Sequence, residues 1–166
     1  VYFTSPHPSD MSRDVLEQMA RHESLAKQIH LPLQSGDDKI LIRMNRNYRF
    51  ERYREIVADI RAVLPTATLF TDIIVGFCGE TLEQFARTRA ALEEFSFDMA
   101  YVAAYSPRPG AAAARWPDDV AHQEKKRRLA ELSTVLQTTA QQLRDADVGR
   151  TIEVLLFASI LLHAAS

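Results

Sequence analysis

Four short apolar runs in this chain each end in a polar loop rich in glycine, serine or proline, and helical patterns follow three of them. The runs occupy residues 1–4, 28–33, 68–75 and 99–105, and their loops occupy residues 5–8, 34–38, 76–81 and 106–110. Strands that alternate with helices predict an α/β protein with a parallel sheet. We therefore expect four parallel strands, adjacent in chain order, whose loops lie at one edge, where such sheets bind ligands.

Helix signals separate the predicted strands. The predicted helices cover about residues 12–22, 40–44, 53–64, 81–95 and 118–143. Ser12 can cap the first helix, and Thr81 with Gln84 matches a capping box at the start of the fourth. The side chains expected to be buried in that fourth helix are Leu82, Phe85, Leu92 and Phe95. Pro107, Pro109 and Pro117 predict that the stretch 111–115 is loop.

The length limits the architecture. At 166 residues the chain is too short for a closed barrel of eight strand–helix units, which takes roughly 250 residues. The first residue already belongs to a strand pattern and is not a methionine, so we interpret the chain as a piece of a longer protein.

Composition excludes several classes of protein. A net charge of −2 and a pI near 6.2 do not indicate nucleic-acid binding. Basic residues are concentrated at 39–54 and 125–128, and we predict that both stretches are solvated helix faces, the second opposite Leu129, Leu132 and Leu136. A single cysteine excludes a disulfide framework and any multi-cysteine metal site within the chain. No signal-peptide pattern is present, and the apolar stretch 152–165 is too short to span a bilayer, so no membrane partner is predicted.

The loops after the strands contain the candidate ligand-binding residues. Gln34-Ser35-Gly36 could bind an anion through backbone N–H groups or could be an ordinary turn. Arg46 could bind a carboxylate or could be a surface charge. Asp72 lies within an apolar strand, where a carboxylate needs partners. Cys78 could be a reactive thiol but is better explained as a small apolar filler.

These stretches together resemble the tRNA methylthiotransferases, which are radical S-adenosylmethionine enzymes. The resemblance rests on five ordered segments: 3–8, 29–36, 44–46, 71–81 and 105–110. Cys78, where most of the family has proline, resembles the eukaryotic branch, which is named for a regulatory-subunit-associated protein of cyclin-dependent kinase five. That branch implies a mitochondrial location, with a cytoplasmic one as the alternative.

The resemblance implies a division of the chain. Residues 1–117 would be the later part of a partial radical-SAM (βα) barrel with parallel strands, and 118–147 a linker helix. Residues 148–157 would begin a small tRNA-binding β domain, while 158–166 do not resemble the family. The family converts N6-isopentenyladenosine at position 37 of tRNA to its 2-methylthio derivative, so the implied partner is tRNA. We expect the basic stretch 125–128, if it touches tRNA, to do so through phosphates.

The implied cofactors are S-adenosylmethionine and [4Fe–4S] clusters. Ser35 and Gly36 would lie near the methionine part of S-adenosylmethionine, and Arg46 would meet the carboxylate of that part. Ile74 and Gly76 would back the adenine, with Tyr105 and Ser106 at the adenine edge. The family's CxxxCxxC loop is absent, so no metal ligand and no catalytic residue is assigned, and the chain alone is expected to be inactive.

Two alternatives remain from the sequence. One is a non-catalytic, truncated form that binds a protein partner, as the kinase-regulator name of the eukaryotic branch implies. The other is an unrelated phosphate-binding α/β enzyme.

Overall fold

The structure is a computed structural model that describes residue 1, residues 6–149 and residue 151. The described helices are α1 (Arg13–Arg21), α2 (Asp38–Arg43), α3 (Phe50–Val63), α4 (Leu82–Phe95) and α5 (His122–Asp147). The strands are β1 (Gln28–His30), β2 (Thr68–Val75) and β3 (Met99–Ala104). Short 3-10 helices cover Pro8–Asp10 and Ala112–Arg115, so the predicted loop at 111–115 contains one helical turn.

The three strands form one parallel sheet in the order β1-β2-β3. The register pairs Gln28 with Thr68 and Phe70 with Met99. The predicted parallel order is therefore confirmed for three of the four apolar runs, while most of the run 1–4 lies outside the described residues. The ladder of β1 ends at His30, before Pro32, which has no N–H to donate.

Buried and more accessible residues alternate along β2, because helices cover the face of the sheet on which the buried residues lie. Leu69, Thr71, Ile73 and Val75 are each at most 1% exposed, whereas the residues between them are more accessible. The buried side chains join a core supplied by α1, α3, α4 and one turn of α5 around Leu132. Each large apolar side chain buried in this way contributes roughly 1.5–3 kcal/mol to the free energy of unfolding.

The two predicted N-caps are confirmed. Ser12 Oγ accepts a hydrogen bond from the N–H of Val15. Thr81 and Gln84 form both bonds of the capping box. The expected burial of Leu82 is wrong, because Leu82 is the first helical residue and no earlier turn lies beneath its side chain, which leaves it 60% exposed.

The helix predicted from Asp118 is present as α5, which begins at His122, four residues later than predicted. Periodicity placed its end near residue 143, whereas α5 ends at Asp147, where the resemblance placed the end of the linker helix. Gly149 follows it with a φ of 85°. The predicted start of the β domain at 148–157 and the tail at 158–166 lie almost entirely outside the described residues. None of the described helices combines the length and the apolar character needed to cross a membrane.

Candidate functional site

A cavity of about 710 Å³ opens where β2 and β3 end. Its size is that of an ordinary small-molecule pocket, and parallel sheets bind ligands at this edge. Its lining comes from the loop after β1, the turn after α2, the ends of β2 and β3, and the segment 105–116. Four of the predicted site residues line it: Arg46, Ile74, Tyr105 and Ser106.

Arg46 lines this cavity and has one hydrogen-bond donor without a partner among the described residues. Its backbone N–H donates to the carbonyl of Leu41, which fixes the turn after α2. Its Nε is buried and, within the described part of the chain, has no hydrogen-bond partner. A buried guanidinium nitrogen without a partner costs free energy unless a ligand accepts from it. The arrangement therefore favours an anionic ligand group beside Arg46.

Tyr48 supports the wall behind Arg46. Its hydroxyl lies 3.0 Å from the carbonyl oxygens of both Pro32 and Leu33, which share its proton. These contacts hold the backbone of the segment after β1 in place. Burial raises the pKa of Tyr48 to about 12, although the Arg46 charge acts in the opposite direction. Tyr48 therefore stays a neutral donor over the physiological pH range.

Among the described residues that line the cavity, one has an acidic side chain, namely Asp72. His30 Nε2 lies 3.1 Å from Asp72 Oδ1, so the expected need of this carboxylate for a partner is met from the neighbouring strand. About a third of the Asp72 side chain stays exposed, at 32%. The carboxylate is thus held at one oxygen and remains accessible to a polar ligand group.

Aromatic rings form the other side of the cavity. Phe77 meets Tyr105 edge-on at 4.8 Å between ring centroids, and Trp116 at 6.0 Å. The guanidinium of Arg43 lies over the Trp116 ring, 5.2 Å from its centroid. Sequence reasoning missed both Arg43 and Trp116. The signal available was their position, since Trp116 follows the last strand exit and Arg43 ends the short helix α2.

Ser35 and Gly36 do not line the cavity but pack against α4. The N–H of Gly36 donates to Thr88 Oγ1 at 2.9 Å, and Ser35 Oγ lies 3.2 Å from the same atom. A Cβ at Gly36 would lie 2.6 Å from the carbonyl oxygen of Arg87. These contacts fit the ordinary-turn interpretation, with glycine required by the close approach of a helix backbone. Contact with the methionine part of a cofactor stays a prediction for both residues.

Gly76 also faces a packed neighbour. It has a φ of 69°, and a Cβ there would lie 2.5 Å from Lys125 Cγ. Its N–H donates to Glu80 Oε2 at 2.6 Å. Contact between Gly76 and an adenine therefore stays a prediction, and the glycine is explained by the passage of the Lys125 side chain.

The prediction that 125–128 is a solvated face is wrong for two of its four residues. Lys125 and Arg128 are only 4% and 3% exposed. Lys125 Nζ donates to the Tyr105 carbonyl at 3.1 Å and to Asp118 at 2.5 Å. Lys125 therefore binds α5 to the backbone of a cavity residue.

Arg128 makes the second buried contact of α5. It donates to the Glu80 carbonyl at 3.1 Å and to Glu80 Oε2 at 2.5 Å. Burial raises the pKa of Glu80, while the Gly76 N–H and Arg128 act to lower it. The loop after β2 is thus fastened to α5 by an ion pair that solvent does not reach.

Cys78 is 1% exposed and packs with Ile40 and Phe77, as expected for an apolar filler. Within the part of the chain that the structure describes, no group of three or more histidine, cysteine, aspartate or glutamate side chains could hold a metal ion. Since Cys78 is the chain's single cysteine, these residues do not fit an iron–sulfur cluster.

The family and the fold follow from comparison with known proteins. Residues 1–92 match the model of the radical SAM superfamily, and the chain belongs to this superfamily. Among solved structures, the fold is similar to that of coproporphyrinogen III oxidase from Escherichia coli, a radical SAM enzyme, with a TM-score of 0.68 and 24% identity. That likeness covers 82% of this chain and 32% of the oxidase.

The more similar sequences are those of bacterial proteins named tRNA-2-methylthio-N(6)-dimethylallyladenosine synthase. The protein from Acidothermus cellulolyticus is 44% identical over 94% of this chain, and the one from Oceanobacillus iheyensis is 45% identical over 94%. The protein from Chlorobium phaeobacteroides is 43% identical over 93%. The chain spans about a third of the length of these relatives, at 31%, 30% and 35% respectively.

Proposed function

We propose that this chain is the S-adenosylmethionine-binding part of an enzyme that transfers a methylthio group to N6-isopentenyladenosine in tRNA. The observation that carries the proposal is the 44% identity over 94% of the chain with a relative named as that synthase. The alignment spans 156 of the 166 residues and so extends well beyond the superfamily match at residues 1–92.

The cavity fits S-adenosylmethionine. The buried, partnerless Nε of Arg46 suits the carboxylate of the methionine part, through a charge-assisted hydrogen bond. Ile74 and Tyr105 supply apolar and aromatic surface suited to adenine. When bound, this cofactor supplies the radical and the methyl group of the chemistry.

The chain's own residues would bind and orient the reactants. His30 holds one oxygen of Asp72, which leaves the carboxylate a fixed acceptor for ligand hydroxyl or amino groups. Lys125 fixes the carbonyl of Tyr105 and with it the wall of the cavity. The aromatic rings of Phe77 and Tyr105 give that side of the site an apolar surface.

The cluster that this chemistry requires does not fit the residues of this chain. The proposed activity therefore belongs to a longer protein that contains the chain, and the chain contributes cofactor binding to it. The likeness to the eukaryotic branch stays a prediction, as do the mitochondrial location and the protein-binding alternative, and the relatives described above are bacterial.

Loss of the gene tests the proposed function directly. We expect tRNA from cells of the source organism that lack the gene to lose 2-methylthio-N6-isopentenyladenosine and to accumulate the unmethylthiolated nucleoside. Mass spectrometry of digested tRNA measures both, and a copy of the gene should restore the modified nucleoside. An unchanged nucleoside profile would refute the proposal.

Cofactor binding by the chain itself is a second test. We expect S-adenosylhomocysteine to bind the 166-residue chain. Arg46→Ala should weaken this binding roughly tenfold or more, because a hydrogen bond to a charged group contributes about 1.5–3 kcal/mol. Isothermal titration calorimetry measures the change. The matched control is Arg21→Ala, which removes a guanidinium from the exposed end of α1. Equal binding by both variants would remove Arg46 from the site.

A further inference from the structure

The open side of the cavity presents the only tryptophan of the chain. Trp116 lines the cavity and is 36% exposed, although a large apolar side chain is normally buried. Phe77 contacts the indole ring edge-on. The backbone N–H of Trp116 donates to the carbonyl of Ala113 at 3.1 Å, in the 3-10 turn that precedes it. The indole therefore packs against Phe77 and stays partly exposed to solvent.

Positive charges outnumber negative ones among the residues that line the cavity. Three arginines line the cavity, namely Arg43, Arg46 and Arg108, against the single carboxylate of Asp72. Arg43 and Arg108 are exposed, and Arg43 places its guanidinium over the indole. A chain of net charge −2 thus has a locally cationic opening next to an aromatic plane.

One bound cofactor does not account for these groups. S-adenosylmethionine has a single carboxylate, and the proposed function assigns that carboxylate to Arg46. Arg43, Arg108 and Trp116 then remain for a second ligand that has both a negative charge and a flat ring. Nucleotides of single-stranded RNA have both, since bases stack on aromatic and guanidinium planes while arginines pair with phosphates.

We propose that Trp116, Arg43 and Arg108 form a nucleotide subsite at the opening of the cavity, which binds an unstacked nucleotide of single-stranded RNA beside the cofactor site. The proposal rests on the proposed function, because it specifies how the RNA substrate of that enzyme enters the same cavity. Trp116 and Arg43 stack with the base, and Arg108 pairs with a phosphate. Stacking tolerates any base, so the subsite holds the strand and leaves selection of the modified base to the inner cavity.

The single tryptophan makes the test direct. We expect a short oligoadenylate RNA to quench the fluorescence of the 166-residue chain, because Trp116 is its only indole. An oligoglutamate peptide is the matched polyanion without bases and should cause no quenching. Quenching by the peptide would overturn the RNA proposal in favour of an acidic protein partner, and no quenching by RNA would overturn it outright.

Variants assign the residues. With a fluorescently labelled RNA, Trp116→Ala should weaken binding about fivefold to 150-fold, which is the range for loss of one base–aromatic stack, and Trp116→Phe should weaken it less. Arg43→Ala and Arg108→Ala should weaken binding and reduce its salt dependence, whereas Arg21→Ala should change neither. Equal affinities for Arg43→Ala and Arg21→Ala would overturn the subsite. Circular dichroism melts check that each variant is folded.

Saturation with S-adenosylhomocysteine separates this inference from the proposed function. RNA should still quench Trp116 when the cofactor site is full, and complete competition would overturn a separate subsite. Binding of S-adenosylhomocysteine without RNA quenching would leave the proposed function standing and refute the nucleotide subsite. RNA quenching without any binding of S-adenosylhomocysteine would support the nucleotide subsite and count against the proposed function.

Discussion

Sequence position alone predicts the place of some residues in the cavity and fails for others. Ile74, Tyr105 and Ser106 are predicted site residues, and they line the cavity because parallel strands bring their ends to one edge, while Arg46 reaches it from the turn after α2. Gly36 and Gly76 follow strands in the same way, yet their neighbours are Arg87 and Lys125. A glycine that lets a ligand approach and a glycine that lets a helix approach give the same sequence signal.

Replacing Gly76 with alanine separates the two reasons for glycine. Gly76→Ala should lower the free energy of unfolding by the roughly 1–2 kcal/mol of a left-handed backbone plus about 1–3 kcal/mol for displacing Lys125. Gly110→Ala is the matched control, because Gly110 has a φ of 87° and nothing within 4 Å of an added Cβ. Urea denaturation measures both, and equal losses would contradict the packing role of Gly76.

Helices and strands were predicted better than their surroundings. Periodicity and caps located α1, α3 and α4 because those signals are local. The burial of Lys125 and Arg128 was not predictable, because their partners lie in other segments: Glu80 is 48 residues from Arg128 in sequence. A run of four basic residues indicates a solvated surface unless such distant partners are known.

The start of α5 has no side-chain cap, but its first turn contains an acidic residue. Its N-cap is Ala121, with no side-chain hydrogen bond, and Glu124 in the first turn accepts from Arg127 and Arg128. The hydrogen bonds from Arg127 and Arg128 lower the pKa of Glu124 from 4.5 to about 2. A carboxyl group whose pKa is lower in the folded chain than in the unfolded chain stabilises the fold at pH values above its unfolded-state pKa. This contribution is lost as the pH falls through its folded-state pKa.

We therefore expect Glu124→Gln to lower the melting temperature of the chain near neutral pH. The difference from the unsubstituted chain should shrink as the pH falls from about 4.5 to about 2, since protonation then removes the same charge. Thermal melts across this range measure it, with Glu23→Gln in the segment after α1 as the control. A difference that stays constant down to the lowest pH would show that the charge of Glu124 does not hold α5.

At the scale of the whole molecule, the parallel order of three strands followed from alternation and short connections. The same reasoning could not show how α5 docks. Its contacts with β3 and α4 place Leu132 in the core and fasten the helix to the loops that surround the cavity. The packing of α5 therefore connects the cavity wall to the core.

The chain as a whole has the cavity that we propose for the cofactor but lacks the ligands of a cluster, and this defines the last prediction. An iron–sulfur cluster takes thiolate ligands, three or four per cubane, and this chain has one cysteine, which is 1% exposed. Anaerobic reconstitution of the purified chain with iron and sulfide should therefore give no stoichiometric cluster, with the same iron content for Cys78→Ala. Under reductant the chain should release no 5′-deoxyadenosine from S-adenosylmethionine, although it binds S-adenosylhomocysteine. Turnover above a control without protein would show that the chain assembles a catalytic centre by itself, contrary to the division of roles that we propose.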